Sequence, residues 1–314
     1  MIEFLWDARC AALKAKWNFD DGGLPEAARR LLALLPNTRA TAARPLQSPP
    51  DPLTWIGGKT LDILIAIGDV GGLVFLTARK AALAAASTRV YLRAIDLRAN
   101  LRDAGPSALL IVGVVNFLIG AILAFVGAVQ LRRFAADVFV ANLVGLAVAR
   151  EMAPVMTGII MSGRTGGAYA ARIATMLGNE ELDALEVVGI PVTDYIVLPS
   201  VLALAVAMPL LYLYGTLLGM FGGFVVSVAM LSITPLRFVH QLLSAIPLDQ
   251  FVFGFVKSFA FGLMIGVTSC RIGLMAGRSA ADVGIAATRA VVVGIVGVIA
   301  MDAIFAVIAN AIGI

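Results

Sequence analysis

Five long apolar runs constrain the fold of this chain more than any other feature of its sequence. They lie at about residues 105–130, 138–162, 196–229, 250–272 and 289–312. Each run has at least the roughly 20 residues that a helix needs to cross a bilayer. Hydrophobic residues make up 60% of the chain and charged residues only 14%, whereas a soluble domain carries about 25% charged residues. The sequence therefore predicts an all-α integral membrane protein with about five transmembrane helices.

Two regions are predicted from the change in composition along the chain. Residues 1–54 are expected to form an N-terminal cytoplasmic extension with a Pro-rich linker, and residues 55–314 the membrane domain. Trp55–Ala86 is apolar but repeatedly interrupted by charges, which indicates a helix lying in the membrane interface. Ser87–Arg102 carries arginines four or five residues apart with apolar residues between them. This second pattern predicts an amphipathic elbow helix on the cytoplasmic leaflet.

Basic residues predict how the chain is oriented in the membrane. Of the 24 Lys and Arg residues, 14 lie before Ala104, ahead of the first apolar run. Basic segments close to the first span remain in the cytoplasm, and residues 1–30 show no apolar core of a signal peptide. The N-terminus is therefore predicted to be cytoplasmic. The loops at 131–137 and 230–249 would then face outward, and the loop at 273–288 inward.

Charged residues inside the apolar runs are candidates for function, because charge is costly in lipid. Arg150 and Glu151 are adjacent in the middle of the second run. They either join neighbouring helices as a structural ion pair or line a path for lipid or another substrate. The small residues of Gly163–Ala171 predict close helix packing and a bend. Lys257, near the start of the fourth run, is expected to extend its ammonium group to the membrane surface.

A short acidic helix is predicted between the second and third runs, at Asn179–Gly189. Asn179 is expected to cap its first turn, Gly189 suits the position after its end, and Pro191 prevents its continuation. Helical spacing places the apolar residues of this segment on one stripe, with acidic residues on either side of it. The stripe and flanks comprise Leu182, Leu185, Val188, Glu180, Glu181, Asp183 and Glu186. Such a helix either docks into a groove on a soluble partner or is a solvated connection between two spans.

Several classes of site are not expected in this chain. One histidine and two cysteines provide neither a His-based metal cluster nor a disulfide framework. The Gly-Lys-Thr sequence at 58–60 lacks the earlier glycine and the preceding strand of a phosphate-binding loop. No basic patch with interleaved aromatic residues indicates nucleic-acid binding. If ATP drives this protein, a partner chain is expected to bind it.

Two blocks of the sequence resemble the MlaE (YrbE) family, the permeases of lipid-transporting ABC systems. The first block is VGLAVAREMAPVMTGIIMSGRTGGAYAARIATMLGNEELDALEVVGI. The second comprises KSFAFGLMIGV from Lys257 and GLMAGRSAADVGIAATRAVV from Gly273. Both blocks occur in the order and spacing of the family, and the resemblance covers about residues 56–314. The first 50 or so residues exceed a minimal permease of this kind.

The resemblance implies a homodimer above two copies of a cytoplasmic ATPase, with a periplasmic MCE-domain protein on the opposite side. The short acidic helix would be the coupling helix that inserts into the ATPase. Its implied residues are Asn179, Glu180, Glu181, Leu182, Asp183, Leu185 and Glu186. Arg150 and Glu151 match the charged pair that the family places near its lipid cavity. By position, the resemblance also assigns to the cavity Leu123, Leu131, Phe134 and Leu202.

The predicted function is that of a multi-pass permease subunit in the bacterial inner membrane. It would move phospholipid between that membrane and a periplasmic MCE-protein carrier, in a direction the sequence leaves open. No catalytic residue, metal or cofactor is expected in this chain, since ATP and Mg²⁺ would bind the partner ATPase. A sterol or another hydrophobic cargo is the alternative within this class. Two alternatives belong to other classes of protein. In an ion-coupled secondary transporter, Glu151, Lys257 and Asp302 would act as relay groups. In a membrane scaffold, the acidic helix would anchor a soluble complex.

Overall fold

A computed structural model of the chain describes residues 94–134, 136, 139–231 and 234–312, with scattered positions between residues 8 and 30. The residues it describes form helices and turns and contain no β-strand. Within these residues, five helical segments are long and apolar enough to cross a membrane, which confirms the predicted all-α membrane fold. The chain divides into two units, Met1–Ile63 and Leu64–Ile314, and the fold below is that of the second. The predicted boundary at residue 54 and the interfacial helix Trp55–Ala86 lie outside the described residues.

The α-helices are numbered here in chain order. They are α1 Ala94–Ala104, α2 Leu109–Arg132, α3 Val140–Ala147, α4 Ala153–Met161, α5 Gly167–Gly178, α6 Glu181–Val187, α7 Leu198–Leu231, α8 Pro235–Ala245, α9 Leu248–Leu274 and α10 Ala280–Ile312. The membrane-length segments are Leu97–Arg132, Val140–Gly178, Thr193–Met230, Leu248–Leu274 and Ala280–Ala311. Helix α1 is the described part of the predicted elbow. The end of the bundle that carries α6 is called the α6 end, and the other the α8 end.

The second span is longer than the sequence analysis predicted. Helices α3, α4 and α5 follow one another through two π-helical turns, Val148–Met152 and Ser162–Gly166. The expected end near residue 162 was therefore wrong, because small residues permit close packing without stopping a helix that neighbouring helices support. A Cβ atom on Gly166 would lie 2.8 Å from Ser269 Oγ. The glycines of this segment thus allow the neighbouring helix to approach, as predicted.

The last span also begins earlier than expected, at Ala280 rather than near residue 289. Ser279 and Asp282 cap its first turn reciprocally. The Asp282 N–H donates to Ser279 Oγ at 3.2 Å, and the Ser279 N–H donates to Asp282 Oδ2 at 3.0 Å. This capping box satisfies backbone donors that an uncapped helix start would leave unpaired. Part of the predicted 273–288 loop is therefore helical.

The predicted outer loop at 230–249 contains a helix, α8, that the sequence analysis missed. Thr234 is extended and Pro235 occupies the first helical turn, where its missing N–H costs nothing. Phe238 is 1% exposed, while Leu236 and Leu243 are 82% and 75% exposed. One face of the helix therefore packs on the bundle, and the helix lies across the α8 end. It was missed because its apolar residues are too few to form a membrane-length run.

Helix α7 is the centre of the bundle. In the most apolar stretch of its span, 78% of residues are buried within the protein, compared with 11% in the span of α10. Helix α7 packs most extensively against α2, and glycines line this contact. A methyl group on Gly120 would overlap the carbonyl group of Gly219, and one on Gly222 would overlap that of Phe117. The backbones of α2 and α7 are therefore in direct contact, which only glycine permits.

Substituting a glycine in this contact tests the packing of α2 against α7. We expect Gly120→Ala to lower the free energy of unfolding by about 2–3 kcal/mol, because the new methyl group forces two backbones apart. The matched control is Gly284→Ala on α10, where a Cβ atom meets nothing within 4 Å. That substitution should be neutral or stabilising by up to about 1 kcal/mol, since alanine favours a helix. Thermal unfolding in detergent would measure both, and equal behaviour of the two variants would contradict the packing.

Candidate functional site

A cluster of charged side chains joins three spans inside the bundle. Lys257, on α9, is fully buried. Its ammonium group contacts Glu151 Oε2 in the second span and lies 2.5 Å from Asp302 Oδ1 on α10. The cluster therefore holds three helices together through one cation and two carboxylates.

Arg150 extends the same cluster toward the start of α9. Arg150 Nε lies 3.4 Å from Glu151 Oε1, and its guanidinium donates to Gln250 Oε1 at 3.3 Å. The ring of Phe253 lies beneath both cations, with its centroid 5.5 Å from Arg150 Cζ and 5.6 Å from Lys257 Nζ. The formal charges of the two bases and the two carboxylates sum to zero. A neutral, mutually bonded set is the form in which charges persist away from water.

The local sequence places Arg150 and Glu151 on an irregular turn. They lie in the π-helical turn Val148–Met152, immediately before Pro154 at the start of α4. A proline has no N–H to donate to the carbonyl group four residues earlier, here that of Arg150. Lys257 Nζ donates to this carbonyl oxygen at 3.5 Å. The π-turn and the proline thus give the lysine a backbone acceptor as well as carboxylates.

The expectation that Lys257 extends to the membrane surface was wrong. Glu151, Lys257 and Asp302 each lie about ten residues from the α8 end of their helices. At 1.5 Å per residue this places them about 15 Å from that end of the bundle. A lysine side chain cannot span that distance, so carboxylates from two neighbouring spans neutralise it instead.

Helix α6 forms a short acidic projection at the opposite end of the bundle. It ends in two hydrogen bonds, from the Gly189 N–H to Glu186 O at 2.9 Å and from the Ile190 N–H to Leu185 O at 3.0 Å. Gly189 has a φ of +81°, which glycine adopts without strain. These bonds are those of a Schellman motif, and they confirm the predicted end of the helix.

The predicted start of this helix was wrong. Asn179 does not cap α6, because its backbone still belongs to α5, with its N–H bonded to Thr175 O at 2.9 Å. Its side chain donates to Glu181 Oε1 at 3.1 Å. Glu180 makes the sharp turn between the helices with a φ of 61°. Helix α6 then begins at Glu181 without a side-chain cap.

The predicted apolar stripe of α6 is divided between the protein and its surroundings. Leu182 is 4% exposed and Leu185 is half-buried, and both pack on the core of their own chain. Val188 is 73% exposed, and Val187 beside it is 88% exposed. A partner would therefore meet the valines and the acids rather than the leucines.

An ion pair holds α6 to the segment before α10. Arg278 donates to Asp183 Oδ2 at 2.8 Å, and its guanidinium lies 3.7 Å from Glu180 Oε1. Glu181 and Glu186 are exposed. We use "the outer face of α6" for Glu181, Glu186, Val187 and Val188. This face combines two acids with two apolar side chains on a helix fixed by its own core contacts and by Arg278.

Comparison with known proteins identifies the family of this chain. The sequence pattern of the family described as Permease MlaE matches residues 97–308, which is more than half of the chain. The chain belongs to the MlaE permease family. A probable ABC transporter permease protein of Rickettsia typhi is 36% identical over 188 residues, covering 60% of this chain and 73% of that protein. One from Synechocystis is 30% identical over 217 residues, covering 67% and 82%.

A plant protein is also similar to this MlaE-family chain. The Arabidopsis thaliana protein TRIGALACTOSYLDIACYLGLYCEROL 1, chloroplastic, is 30% identical over 203 residues, covering 65% of this chain and 58% of that protein. An ABC permease is the membrane-spanning part of a transporter and has no ATPase site of its own. Its ATPase is a partner chain. The ATP-driven class predicted from the sequence is thereby confirmed, together with multi-pass membrane insertion.

The four residues assigned to the lipid cavity by family position are not all close together. Leu123 and Leu131 are half-buried on one apolar cluster, and Phe134 follows at the α8 end with 78% exposure. Leu202 lies elsewhere. The Arg132 side chain of α2 donates to Met230 O at 2.5 Å, so Met230 of α7 lies at the same end of the bundle as the end of α2. Leu202 precedes Met230 by 28 residues of α7, or about 42 Å along the helix.

Three residues of these sites were missed by the sequence analysis. Gln250 and Phe253 lie on α9 in the direction of the α8 end, and their contacts with Arg150 join segments about 100 residues apart. Arg278 lies 95 residues from Asp183. For Arg278 the sequence did carry a signal, a base in a loop predicted to share the cytoplasmic side with the acidic helix. For Gln250 and Phe253 it carried none.

Removing the lysine tests the charge cluster of this MlaE-family permease. We expect Lys257→Met to lower the free energy of unfolding by about 3–5 kcal/mol, because the partly buried Asp302 then loses its cation and Glu151 keeps only Arg150. The control is the double variant Lys257→Met, Asp302→Asn, which leaves Arg150 and Glu151 as a neutral pair. This control should recover much of the free energy of unfolding that Lys257→Met loses. Thermal unfolding in detergent distinguishes these outcomes, and wild-type stability of Lys257→Met alone would refute the role of the cluster.

Proposed function

We propose that this chain is the permease of an ABC transporter that moves phospholipid between the bacterial inner membrane and a periplasmic MCE-domain carrier. The observation that carries the proposal is the outer face of α6. Exposed acids and valines stand on a helix that its own chain holds rigidly by Leu182 and Arg278. Such a helix suits a groove in a cytoplasmic ATPase, where ATP and Mg²⁺ would bind. Nucleotide-driven closure of the ATPase would then move α6 and the span attached to it.

The proposed orientation follows from the placement of the bases. Those at the α6 end, on α1, α5, α9 and the segment before α10, are Arg98, Arg102, Arg172, Arg271 and Arg278. At the α8 end, α2 and α8 contribute Arg132, Arg133 and Arg237. Basic residues are concentrated on the cytoplasmic side of membrane proteins. This distribution supports a cytoplasmic α6 end, and the α8 end, with its exposed Leu236 and Leu243, would then face the MCE protein.

Large apolar surfaces support both a lipid cargo and a homodimer. Side chains of α2 and α10 that are more than half exposed in one chain include Leu110, Val114, Leu118, Ile122, Val292, Val296, Ile304 and Val307. A surface of this kind is covered by lipid or by a second copy of the chain. The name of the Arabidopsis relative contains that of a glycerolipid, which favours a cargo with acyl chains over a polar solute. Leu123, Leu131 and Phe134 would line its path at the α8 end, with Arg150 and Glu151 below them.

Charge reversal on the outer face of α6 tests the ATPase contact. We expect Glu181→Lys combined with Glu186→Lys to abolish co-purification of the ATPase, because both acids are exposed and the bond that Glu181 accepts from the Asn179 side chain is exposed as well. Folding should be unaffected. The measurement is the amount of ATPase retained by the tagged permease in mild detergent.

Asp249→Lys is the matched control for this experiment. Asp249 is exposed at the α8 end, where a cytoplasmic ATPase cannot reach it. The control should retain the ATPase at the wild-type level. Full retention by the α6 variant would refute the coupling-helix assignment, and loss in the control would show that charge reversal acts through folding instead.

Native mass spectrometry of the complex tests the assembly and the cargo together. The tagged permease would be co-expressed with its ATPase and purified from its own membranes. We expect a mass of two permeases and two ATPases that releases phospholipid on activation. Release of a sterol would identify a sterol, in place of phospholipid, as the cargo. An assembly without bound lipid would favour the alternative that the chain is a membrane scaffold.

A second candidate, ion-coupled transport, has one observation in its favour. The structure brings together Glu151, Lys257 and Asp302, the three groups that such a mechanism would use. Family membership assigns the energy source to an ATPase instead. Lipid transfer by reconstituted permease without ATPase, driven by a proton gradient and lost in Lys257→Met, would establish the alternative.

A further inference from the structure

A small polar cavity lies at the α6 end, far from the charge cluster. It has a volume of about 120 Å³ and lies between α1, α5 and the start of the third span. Its walls include Ala99 and Asn100 of α1, with Tyr169, Arg172, Ile173 and Met176 of α5. The four α5 residues follow helical spacing and share one face. Tyr195, Ile196, Pro199 and Ser200 complete the lining.

The Tyr169 hydroxyl group is an unsatisfied donor in this cavity. The Tyr169 side chain is 6% exposed, and its hydroxyl has no hydrogen-bond partner among the residues that the structure describes. A buried hydroxyl without a partner costs free energy, because it has given up its bonds to water. A phenylalanine would fill the same space without this cost. The tyrosine therefore indicates an acceptor that enters the cavity from outside the chain.

Arg172 and Asn100 supply further donors beside this hydroxyl. The Arg172 guanidinium donates to Asn100 Oδ1 at 3.3 Å, and Asn100 is 6% exposed. Because the amide oxygen accepts this bond, the amide NH₂ group is the part of Asn100 that can donate. An arginine has five N–H donors, of which this contact uses one. Asp103, on α1, is the carboxylate near Tyr169, but its side chain is exposed and does not line the cavity.

The position of the cavity matches a lipid head group. Arg172 lies six residues before Gly178, the end of α5, or about 9 Å along the helix. The span has 39 residues and is about 58 Å long, so it extends well beyond a hydrocarbon core about 30 Å thick. A point about 9 Å from its end falls in the head-group region. The apolar members of the lining, Ile173, Met176 and Ile196, suit a glycerol backbone. The volume suits one phosphate group and not an entire lipid.

We propose that this cavity binds the phosphate group of a phospholipid from the membrane leaflet at the α6 end, through Arg172, Tyr169 and Asn100. Phosphate oxygens accept several charge-assisted hydrogen bonds at once, which these donors provide. The site differs from the proposed transport path because it lies at the other end of the bundle from Phe134. A bound head group would tie α1 to α5, which continues directly into α6. Lipid occupancy would thus stabilise the element that contacts the ATPase.

Native mass spectrometry with defined short-chain ligands tests this site. The full chain, purified with its ATPase and stripped of lipid, would be titrated with dioctanoyl phosphatidylglycerol. Dioctanoylglycerol, which lacks the phosphate, and inorganic phosphate would be titrated in parallel. We expect saturable binding of the phospholipid, and at least tenfold weaker binding of the other two. Equal binding of dioctanoylglycerol would refute recognition of phosphate, and equal binding of inorganic phosphate would assign the site to the free anion.

Variants separate this site from other lipid contacts on the surface. Tyr169→Phe removes only the unpaired hydroxyl and should weaken phosphatidylglycerol binding roughly tenfold, the value of one hydrogen bond to a charged group. Arg172→Met should weaken it at least as much. Asn100→Asp should do likewise, because its carboxylate would pair with Arg172 and repel phosphate. Wild-type affinity in Tyr169→Phe and Asn100→Asp would overturn the proposal even if Arg172→Met failed to fold.

Arg164→Met is the matched control for the loss of charge. Arg164 is exposed in the preceding π-helical turn of the same span and does not line the cavity. It should bind phosphatidylglycerol like the wild type. A loss in this control equal to that of Arg172→Met would show that general surface charge attracts the lipid, and would overturn the assignment of the cavity.

Discussion

A lysine ammonium buried among membrane-spanning helices requires carboxylates beside it, and much of this structure follows from that requirement. The cost of an uncompensated charge in a medium of low dielectric constant far exceeds that of any single apolar contact. Lys257 therefore fixes where Glu151 and Asp302 must lie, and with them the relative heights of three spans. Close contacts at glycines, such as that of Gly166 with Ser269, join two of these spans at a second level. The charges and these contacts specify the same arrangement.

The span that carries Glu151 also carries the elements of the α6 end. It runs from Val140 to Gly178, contributes Tyr169 and Arg172 to the polar cavity, and continues into α6. A displacement of α6 is therefore a displacement of the end of this span. Two π-helical turns interrupt it, at the charge cluster and beside the close contact with α9. Such turns occur frequently at functional sites. Here one carries Arg150 and Glu151 of the proposed lipid path, and the other lies between that path and the proposed ATPase contact.

Sequence patterns predicted those features that depend on short stretches of chain. Hydropathy gave the number of spans, because twenty apolar residues in sequence have few alternatives to a transmembrane helix. Gly189 followed by Pro191 gave the end of α6, because a Schellman motif uses adjacent residues. The start of α6 was predicted incorrectly at Asn179, since the preceding helix continued through Gly178. Whether such a residue belongs to the preceding or the following helix depends on packing beyond the local sequence.

The sequence by itself determined an all-α membrane protein of about five spans with an acidic helix between the second and third, since hydrophobicity and local capping are properties of neighbouring residues. It also supplied the motifs that resemble the MlaE family, with which the comparisons agree. Only the tertiary structure decided that Lys257 is neutralised in the interior, that Leu182 faces its own core, and that Tyr169 and Arg172 share a cavity with Asn100. Those outcomes depend on contacts between residues that are distant in sequence, and a linear pattern does not encode the distances that decide them.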